Sequence, residues 1–354
     1  MDETLTASTS YDPFSGLIGH GAVVELLARD VASPAHAYLF TGPAGVGKAT
    51  VARGFATILL CPEGGEHPEP CRSCRRVATG NHPDLVVIQP EGRTSLGVEQ
   101  ARSVVTQASL VPVESERRVF LVEEASLMTE QAANALLKTL EEPGSSLVFI
   151  LVAESEDDFP LTVASRCRQV HMGRVPEEVL VAALEARGHR GDEARVVALV
   201  AGGRPGLALT LATRPEVAGL RRAWLSIPER ISGRPGDSFQ LADEIMGLLD
   251  PVAMELAGDQ PNADSRDRAK RRALHSLLAS GLEILASWYA DAASLQLGGP
   301  IRNRDVPLPT LAQIDPRQAV ENCGKVLDAV VDLAGNLRSL PVLASLFTNL
   351  AEEN

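Results

Sequence analysis

Short apolar runs alternate with amphipathic segments in the first half of the chain. Four of these runs are continuously apolar and rich in β-branched or aromatic residues, at positions 37–40, 85–88, 119–122 and 147–153. Runs of this length and composition predict strands that are buried on both faces. Because amphipathic segments separate them, we predict an α/β domain whose parallel sheet is covered by helices on both faces.

The segment between the third and fourth runs predicts one of the covering helices. Ala132, Leu136 and Leu140 recur at helical spacing. Thr129 precedes them as a favoured N-cap residue, with Glu130 in the first turn. We therefore expect a helix that begins after Thr129 and packs its apolar side against the sheet.

The strand pattern ends near residue 174, and helical patterns follow. A chain of 354 residues is too long for one ordinary hydrophobic core, so several domains are expected. We predict an α/β nucleotide-binding-like domain over residues 1–173, a small helical lid over 174–212 and an all-α domain over 213–354. Within the lid, a Gly-Gly-Arg-Pro-Gly break at positions 202–206 precedes the last helix.

A glycine-rich loop follows the first predicted strand and opens a predicted helix. It reads Gly-Pro-Ala-Gly-Val-Gly-Lys at positions 42–48, in the context that a P-loop requires. Gly42, Gly45 and Gly47 would let backbone N–H groups converge on phosphate oxygens, aided by the partial positive charge of the helix N-terminus. Lys48 would reach the β and γ phosphates, so the loop is a candidate site for ATP or ADP with Mg²⁺.

The residues that should hold magnesium depart from this pattern. Ala49 stands where a Ser or Thr hydroxyl would ligate the metal, and Thr50 comes one residue later, about 100° around the helix. Glu123, followed by Glu124, stands where Asp is usual. We expect weak or absent ATP hydrolysis by this chain. The alternative to a nucleotide site is a loop kept for strand-to-helix packing.

Three of the five cysteines cluster in a polar, Pro- and Gly-rich insertion at about residues 61–76. Cys71 and Cys74 form a Cys-x-x-Cys pair, and Cys61 precedes them. Thiolates in such an arrangement bind structural zinc when a fourth ligand completes a tetrahedron. We predict His67 as that ligand and consider His82 less suitable, because it belongs to the loop before the next strand. A loop without metal is the alternative.

Charge and hydropathy narrow the class of function. The net charge of −13 opposes independent binding to nucleic acid, and the basic run at positions 266–272 is interpreted as a solvated segment leading into a helix. No apolar run approaches the roughly 20 residues that a membrane-spanning helix needs. Residues 1–10 lack the basic start and apolar stretch of a secretory signal. We expect a cytoplasmic protein without membrane contact.

Several passages together resemble the subunits of the bacterial DNA polymerase III clamp loader, which are AAA+ proteins. The resemblance covers about residues 19–170 and is weak in the last third, where it rests on residues 335–350. The family has four cysteines in the cluster, whereas this chain has Pro68 at the fourth expected position. The passages that carry it are the P-loop, the cysteine cluster, Gly19-His20, the runs at 36–40 and 82–84, Ala-Ala-Asn-Ala-Leu-Leu-Lys-Thr-Leu-Glu-Glu-Pro at 132–143 (of which 134–143 is the most specific part), and Ser165-Arg166-Cys167.

This resemblance implies a role for Arg166. In the family, the arginine of Ser-Arg-Cys reaches the γ-phosphate of ATP on the adjacent subunit, so Arg166 is expected to act in trans as an arginine finger. Motor relatives carry a small polar sensor near the end of the strand before this motif, where this chain reads Val-Ala-Glu at 152–154. The residues of the chain's own ATP site are therefore altered, whereas the arginine finger is intact. This combination favours a subunit that helps a neighbouring subunit to hydrolyse ATP. The ATP-hydrolysing motor subunit (gamma/tau type) is the alternative.

The same resemblance implies partners. Residues 213–354 would join an oligomeric collar with the motor (gamma/tau) and delta subunits. Through the complex, the chain would act with a sliding clamp and primer-template DNA. DNA polymerisation would belong to the holoenzyme and not to this chain.

Overall fold

The computed structural model describes residues 11–90, 95–214, 216–258, 263–334 and 338–351. The chain falls into two compact units: the described residues of Met1–Val179 with Arg204–Gly206, and those of Leu180–Gly203 with Leu207–Asn354. The boundaries at residues 174 and 213 stay a prediction. Residues 1–10, considered above as a possible targeting segment, and residues 335–336, part of the weak C-terminal resemblance, lie outside the described residues.

The first unit is built on a parallel sheet of five strands in the order β2-β3-β4-β1-β5. Leu39 of β1 pairs with Leu151 of β4, and Phe120 of β3 pairs with Phe149 of β4. The four strands expected from the apolar runs are confirmed. The strand bounds are β1 (Ala37–Thr41), β2 (Leu85–Ile88), β3 (Arg118–Val122), β4 (Leu147–Val152) and β5 (Arg168–His171).

The apolar pattern did not predict β5. Val170 is its one buried residue, while Arg168 and His171 are exposed at the edge of the sheet. An edge strand with this exposure has no continuous apolar run, and pairing with β1 is what holds it.

Helices cover both faces of the sheet, as the sequence predicts. Alternate residues of β1 enter different cores: Leu39 packs with Leu136 on one face, and Tyr38 packs near Phe55 on the other. Thr129 caps α5, because its Oγ1 accepts a hydrogen bond from the Ala132 N–H at 3.1 Å. The helices are α1 (Gly21–Asp30), α2 (Lys48–Leu60), α3 (Arg72–Ala78), α4 (Val98–Ala108), α5 (Glu130–Glu141) and α6 (Leu161–Ala164).

After β5, the described chain is helical, in agreement with the expected all-α C-terminal region. The helices are α7 (Glu177–Glu185), α8 (Asp192–Ala201), α9 (Pro205–Leu211), α10 (Val217–Leu225), α11 (Ile227–Arg230), α12 (Pro235–Leu256), α13 (Ala263–Gln296), α14 (Leu308–Leu311), α15 (Pro316–Ala334) and α16 (Ser339–Ala351). The basic run at 266–272 lies in the first turns of α13.

Helix α13, with 34 residues, is the centre of the second unit and packs against α10, α12 and α15. Gly281 of α13 makes room for the buried Trp224 of α10, because a Cβ at position 281 would lie 1.9 Å from Trp224 Cε2. The close approach of α10 and α13 therefore depends on glycine, which has no side chain, at position 281.

A buried polar network fixes the loop after α13. The Asp291 carboxylate accepts hydrogen bonds from the backbone N–H groups of Arg302 (2.9 Å) and Asn303 (2.7 Å). Arg221 of α10 donates to the Asn303 side chain at 2.8 Å and to Asp305 at 2.7 Å. Since Arg221 and Asp291 are almost fully buried, each charge depends on these partners.

Candidate nucleotide and metal sites

The predicted P-loop joins β1 to α2, at the carboxyl end of a central strand. Gly42, Gly45 and Gly47 have φ values of 141°, 79° and 105°, which disfavour any residue with a side chain. At Gly42 a Cβ would also lie 2.0 Å from the Met172 carbonyl oxygen. The backbone of the loop therefore requires glycine at the positions where the sequence places it.

Lys48 is buried inside this loop as the first residue of α2. Its Nζ donates hydrogen bonds to the carbonyl oxygens of Gly42 (2.5 Å) and Pro43 (2.8 Å). Burial lowers the pKa of the Lys48 ammonium, while Glu154 and Asp158 oppose that shift. The ammonium is thus held at the centre of the loop, where it would meet a phosphate oxygen.

The structure gives Ala49 and Thr50 different surroundings. Ala49 is half-buried, whereas Thr50 is exposed on the surface of α2. Successive helical residues differ by about 100°, so the Thr50 hydroxyl does not take the direction that a hydroxyl at position 49 would have. Ala49 itself offers no oxygen to a metal.

The acidic residue after β3 is bound to an arginine that the sequence interpretation missed. Arg53 of α2 makes a two-pronged ion pair with Glu123: Nε contacts Oε1, and Nη2 donates to Oε2 at 2.8 Å. Arg53 follows Ala49 by one helical turn, so the two residues share a face of α2. That spacing is the signal that would have revealed it.

Further acidic residues lie at the same carboxyl edge of the sheet. Glu124 follows Glu123 and is half-buried. After β4, the Glu154 N–H donates to the Asp158 carboxylate at 3.2 Å, which also accepts from Ser126 Oγ at 2.7 Å. Asp158 was not predicted. Together these contacts hold the polar residues after β3 and β4 near each other.

The Gly-Gly-Arg-Pro-Gly break was predicted only as a turn, yet its arginine lies against the P-loop. Arg204 is buried, and its Cβ lies 3.3 Å from the place that a Cβ at Gly45 would take. Gly206 also approaches the Gly45 carbonyl. The first unit therefore brings a second basic residue beside the loop, a long-range contact that no local pattern predicts.

The predicted metal ligands lie together. One ligand atom from each of Cys61, His67, Cys71 and Cys74 falls within 4.8 Å of all the others. His67 Nε2 is 3.4 Å from the Sγ atoms of both Cys61 and Cys74. Cys71 Sγ lies 3.9 Å from Cys61 Sγ and 3.6 Å from Cys74 Sγ. His82 is outside this cluster, because its Nδ1 accepts the Asp84 N–H instead.

These separations fit a tetrahedral zinc ion. With Zn–S bonds of about 2.3 Å, neighbouring sulfurs of a tetrahedron are about 3.8 Å apart, close to the observed values. Three thiolates and one imidazole could therefore hold zinc without a large rearrangement. Tyr11 stacks on His67 at a centroid distance of 5.1 Å, and its N–H donates to the His67 carbonyl at 2.8 Å. This support fixes the orientation of the imidazole.

Arg166 lies at the surface of the first unit, just after α6. Its Nη2 contacts Glu141 Oε1 at 2.6 Å, and its Nη1 donates to the Thr162 carbonyl at 2.7 Å. The side chain is 35% exposed. The two motifs of the resemblance, at 134–143 and 165–167, thus meet through this ion pair.

Residues 19–176 match the family model described as DNA polymerase III, delta subunit. The resemblance to the bacterial clamp-loader subunits is confirmed over this segment. The delta' subunit of Bacillus subtilis is 40% identical over 134 residues, which cover 38% of this chain and 40% of that protein. The delta' subunit of Escherichia coli is 34% identical over 180 residues, covering 50% of this chain and 54% of that protein.

A motor-type relative and a solved structure are also similar. The tau subunit of Escherichia coli is 32% identical over 243 residues, covering 67% of this chain and 36% of that protein. The gamma subunit-related protein of Thermotoga maritima is 18% identical, with a TM-score of 0.46 and coverage of 93% of this chain and 98% of that one. The matched segments span about half or less of these curated relatives. Among the described helices, none has the length and hydrophobicity to cross a membrane.

Proposed function

We propose that this chain is the delta-prime subunit of a DNA polymerase III clamp loader, acting in the cytoplasm with motor (gamma/tau) and delta subunits. Its role would be to supply Arg166 to the ATP site of a neighbouring motor subunit. The complex would then use ATP to place a sliding clamp on primer-template DNA. The observation that carries the proposal is an exposed Arg166 in an intact Ser-Arg-Cys motif, in a chain whose own magnesium residues are altered.

The chemistry of Arg166 suits this role. Its guanidinium stays charged at any physiological pH and can neutralise charge on the oxygens of a phosphoryl group in transfer. Within the part of the chain that the structure describes, the guanidinium contacts one carboxylate and one carbonyl at the surface, so a phosphate on another subunit could replace the carboxylate. Surface ion pairs of this kind cost little to break, about 1 kcal/mol or less.

The chain's own P-loop would contribute little hydrolysis. Gly42, Gly45, Gly47 and Lys48 have the geometry for phosphate, but Ala49 has no hydroxyl and Glu123 is bound to Arg53. Neither position offers Mg²⁺ a free oxygen ligand of the usual kind. These features favour delta-prime over the motor subunit, although the similarity of this chain to a motor subunit extends over more residues.

The helical second unit would assemble with partner subunits. Helix α15 carries Val320, Leu327 and Val331 at spacings of seven and four residues, so they form one apolar stripe, and all three are exposed. Such a stripe would pack against a helix of a neighbouring subunit in a collar. The zinc cluster would be structural, since its four candidate ligands would fill all positions of a tetrahedral ion.

The decisive experiment reconstitutes this chain with its motor and delta subunits, the sliding clamp and primed DNA. We expect Arg166→Ala to slow ATP hydrolysis at the neighbouring site by on the order of 10³-fold, as measured by single-turnover kinetics. Arg29→Ala removes a more exposed, ion-paired arginine of the same unit and should leave the rate unchanged. Normal hydrolysis with Arg166→Ala would refute the role of the finger.

The motor alternative is tested with the chain alone. If this chain is a motor subunit, it should hydrolyse ATP without partners, and Lys48→Ala should abolish that activity. Under our proposal the isolated chain shows no Mg²⁺-dependent turnover above that of Lys48→Ala.

A further inference from the structure

Arg53 is well placed to act beside the phosphate loop. It lies one turn after Ala49 on the same face of α2, and its guanidinium holds both oxygens of Glu123. Glu123 is largely buried, with 14% of its side chain exposed, while 43% of the Arg53 side chain is exposed. The pair therefore joins the phosphate-loop helix to the end of β3 at the carboxyl edge of the sheet.

This pair bears on the metal that a P-loop normally uses. In a P-loop ATPase the metal is held by a hydroxyl after the lysine and by an acid at the end of another strand of the sheet. Here the hydroxyl is missing at Ala49, and both oxygens of the acid already accept hydrogen bonds from a cation. The residues present therefore do not fit Mg²⁺.

We infer that Arg53 takes the place of magnesium in this loop, so that the loop binds the phosphates of ADP or ATP without a divalent cation. The inference rests on the proposed P-loop but not on Arg166 or on any partner. Magnesium has two electrostatic tasks in such a site, to screen the strand acid from the phosphates and to add positive charge beside them. The paired guanidinium performs the first task permanently, and Lys48 and Arg204 supply positive charge at the loop.

The charge balance explains why Arg53 would be needed. Glu154 and Asp158 act electrostatically on Lys48, so the carboxyl edge of the sheet is already acidic around the loop. An unpaired Glu123 would add a further negative charge close to the phosphates. Arg53 removes that repulsion without metal, and it also keeps Glu123 away from any Mg²⁺ that arrives with the nucleotide.

The test measures binding of fluorescent mant-ADP and mant-ATP to the full chain, in EDTA and in Mg²⁺ at matched ionic strength. We expect dissociation constants that agree within about twofold in the two conditions. If Mg²⁺ lowers the dissociation constant by about tenfold or more, the inference is wrong. It is also wrong if neither nucleotide binds in either condition.

Variants then assign the effect to Arg53. Arg53→Met should weaken metal-free binding by about tenfold and make it respond to Mg²⁺, because Glu123 loses its partner. Arg53→Lys should restore much of the metal-free affinity by returning the charge. Arg29→Met removes a surface arginine from the same unit and should change nothing. If Arg53→Met binds metal-free nucleotide like wild type, Arg53 has no such role.

A second variant keeps the inference testable if Arg53→Met fails to fold, as judged by thermal unfolding. Glu123→Gln frees Arg53, so metal-free nucleotide should bind as tightly as to wild type or more tightly. Weakening of about tenfold would mean that Glu123 itself is needed, and would contradict the inference. Arg166→Ala should leave these affinities unchanged in the isolated chain, which separates this test from that of the proposed function.

Discussion

Glu141, at the end of α5, holds Arg166 through a contact of 2.6 Å between Oε1 and Nη2. The carboxylate comes from one motif of the clamp-loader resemblance and the guanidinium from the other. In the isolated chain the proposed finger is therefore paired within its own subunit. Reaching a phosphate on a neighbour requires that this surface pair open or shift.

We expect Glu141→Gln to retain the finger's function. The pair is exposed on both sides, so its loss should change the unfolding free energy by about 1 kcal/mol or less. In the reconstituted complex, hydrolysis should stay within about threefold of wild type, in contrast to the large loss with Arg166→Ala. A loss as large as that of Arg166→Ala would show that Glu141 is required to position the guanidinium.

The purified chain should contain one zinc ion, measured by mass spectrometry of the metal. We expect His67→Ala to weaken zinc binding by at least about 100-fold, because it removes one of the four ligand atoms brought together here. His67→Cys should retain the metal by restoring a four-cysteine set. His82→Ala is the control and should keep zinc, since His82 lies outside the cluster. Equal zinc loss in the two alanine variants would contradict the ligand assignment.

Asp84 predicts a dependence of stability on pH. Burial alone would raise its pKa, but the N–H groups of Val113, Glu114 and Ser115 donate to its carboxylate and hold the pKa below the usual 3.8. A lowered pKa in the folded state means that the carboxylate stabilises the fold above pH 3.8, and that this contribution is lost as the pH falls through the lower, folded value.

We therefore expect Asp84→Asn to cost about 2 kcal/mol of unfolding free energy near neutral pH, measured by urea denaturation. The difference from wild type should shrink as the pH falls below 3.8. Glu116→Gln, which alters an exposed carboxylate nearby, should show no such difference. A constant difference at every pH would exclude the role of the charge.

Two helical glycines of the second unit should respond oppositely to alanine. At Gly281 a Cβ would lie 1.9 Å from the buried Trp224 ring, so Gly281→Ala should cost about 3 kcal/mol. At Gly247 of α12 a Cβ would meet nothing within 4 Å, so Gly247→Ala should stabilise by about 0.5 to 1 kcal/mol. Melting temperatures of the two variants that shift in the same direction would disprove the packing argument.

The sequence by itself determined the features that depend on local chemistry. Continuous apolar runs predicted four of the five strands, because a strand buried on both faces needs apolar residues on each side. The glycines of the phosphate loop and the Thr129 cap were also predictable from local sequence, because each satisfies a backbone requirement within a few residues. The cysteine cluster was recognisable from spacing alone.

The tertiary structure decided what depends on residues far apart in the chain. Arg53 meets Glu123 across 70 positions, and Arg204 reaches Gly45 although the sequence showed only a turn there. The edge strand β5 is held by its pairing with β1, so its own residues carry no apolar run. Local patterns record what each segment must bury, whereas charge pairing and strand pairing arise only when the fold brings distant segments together.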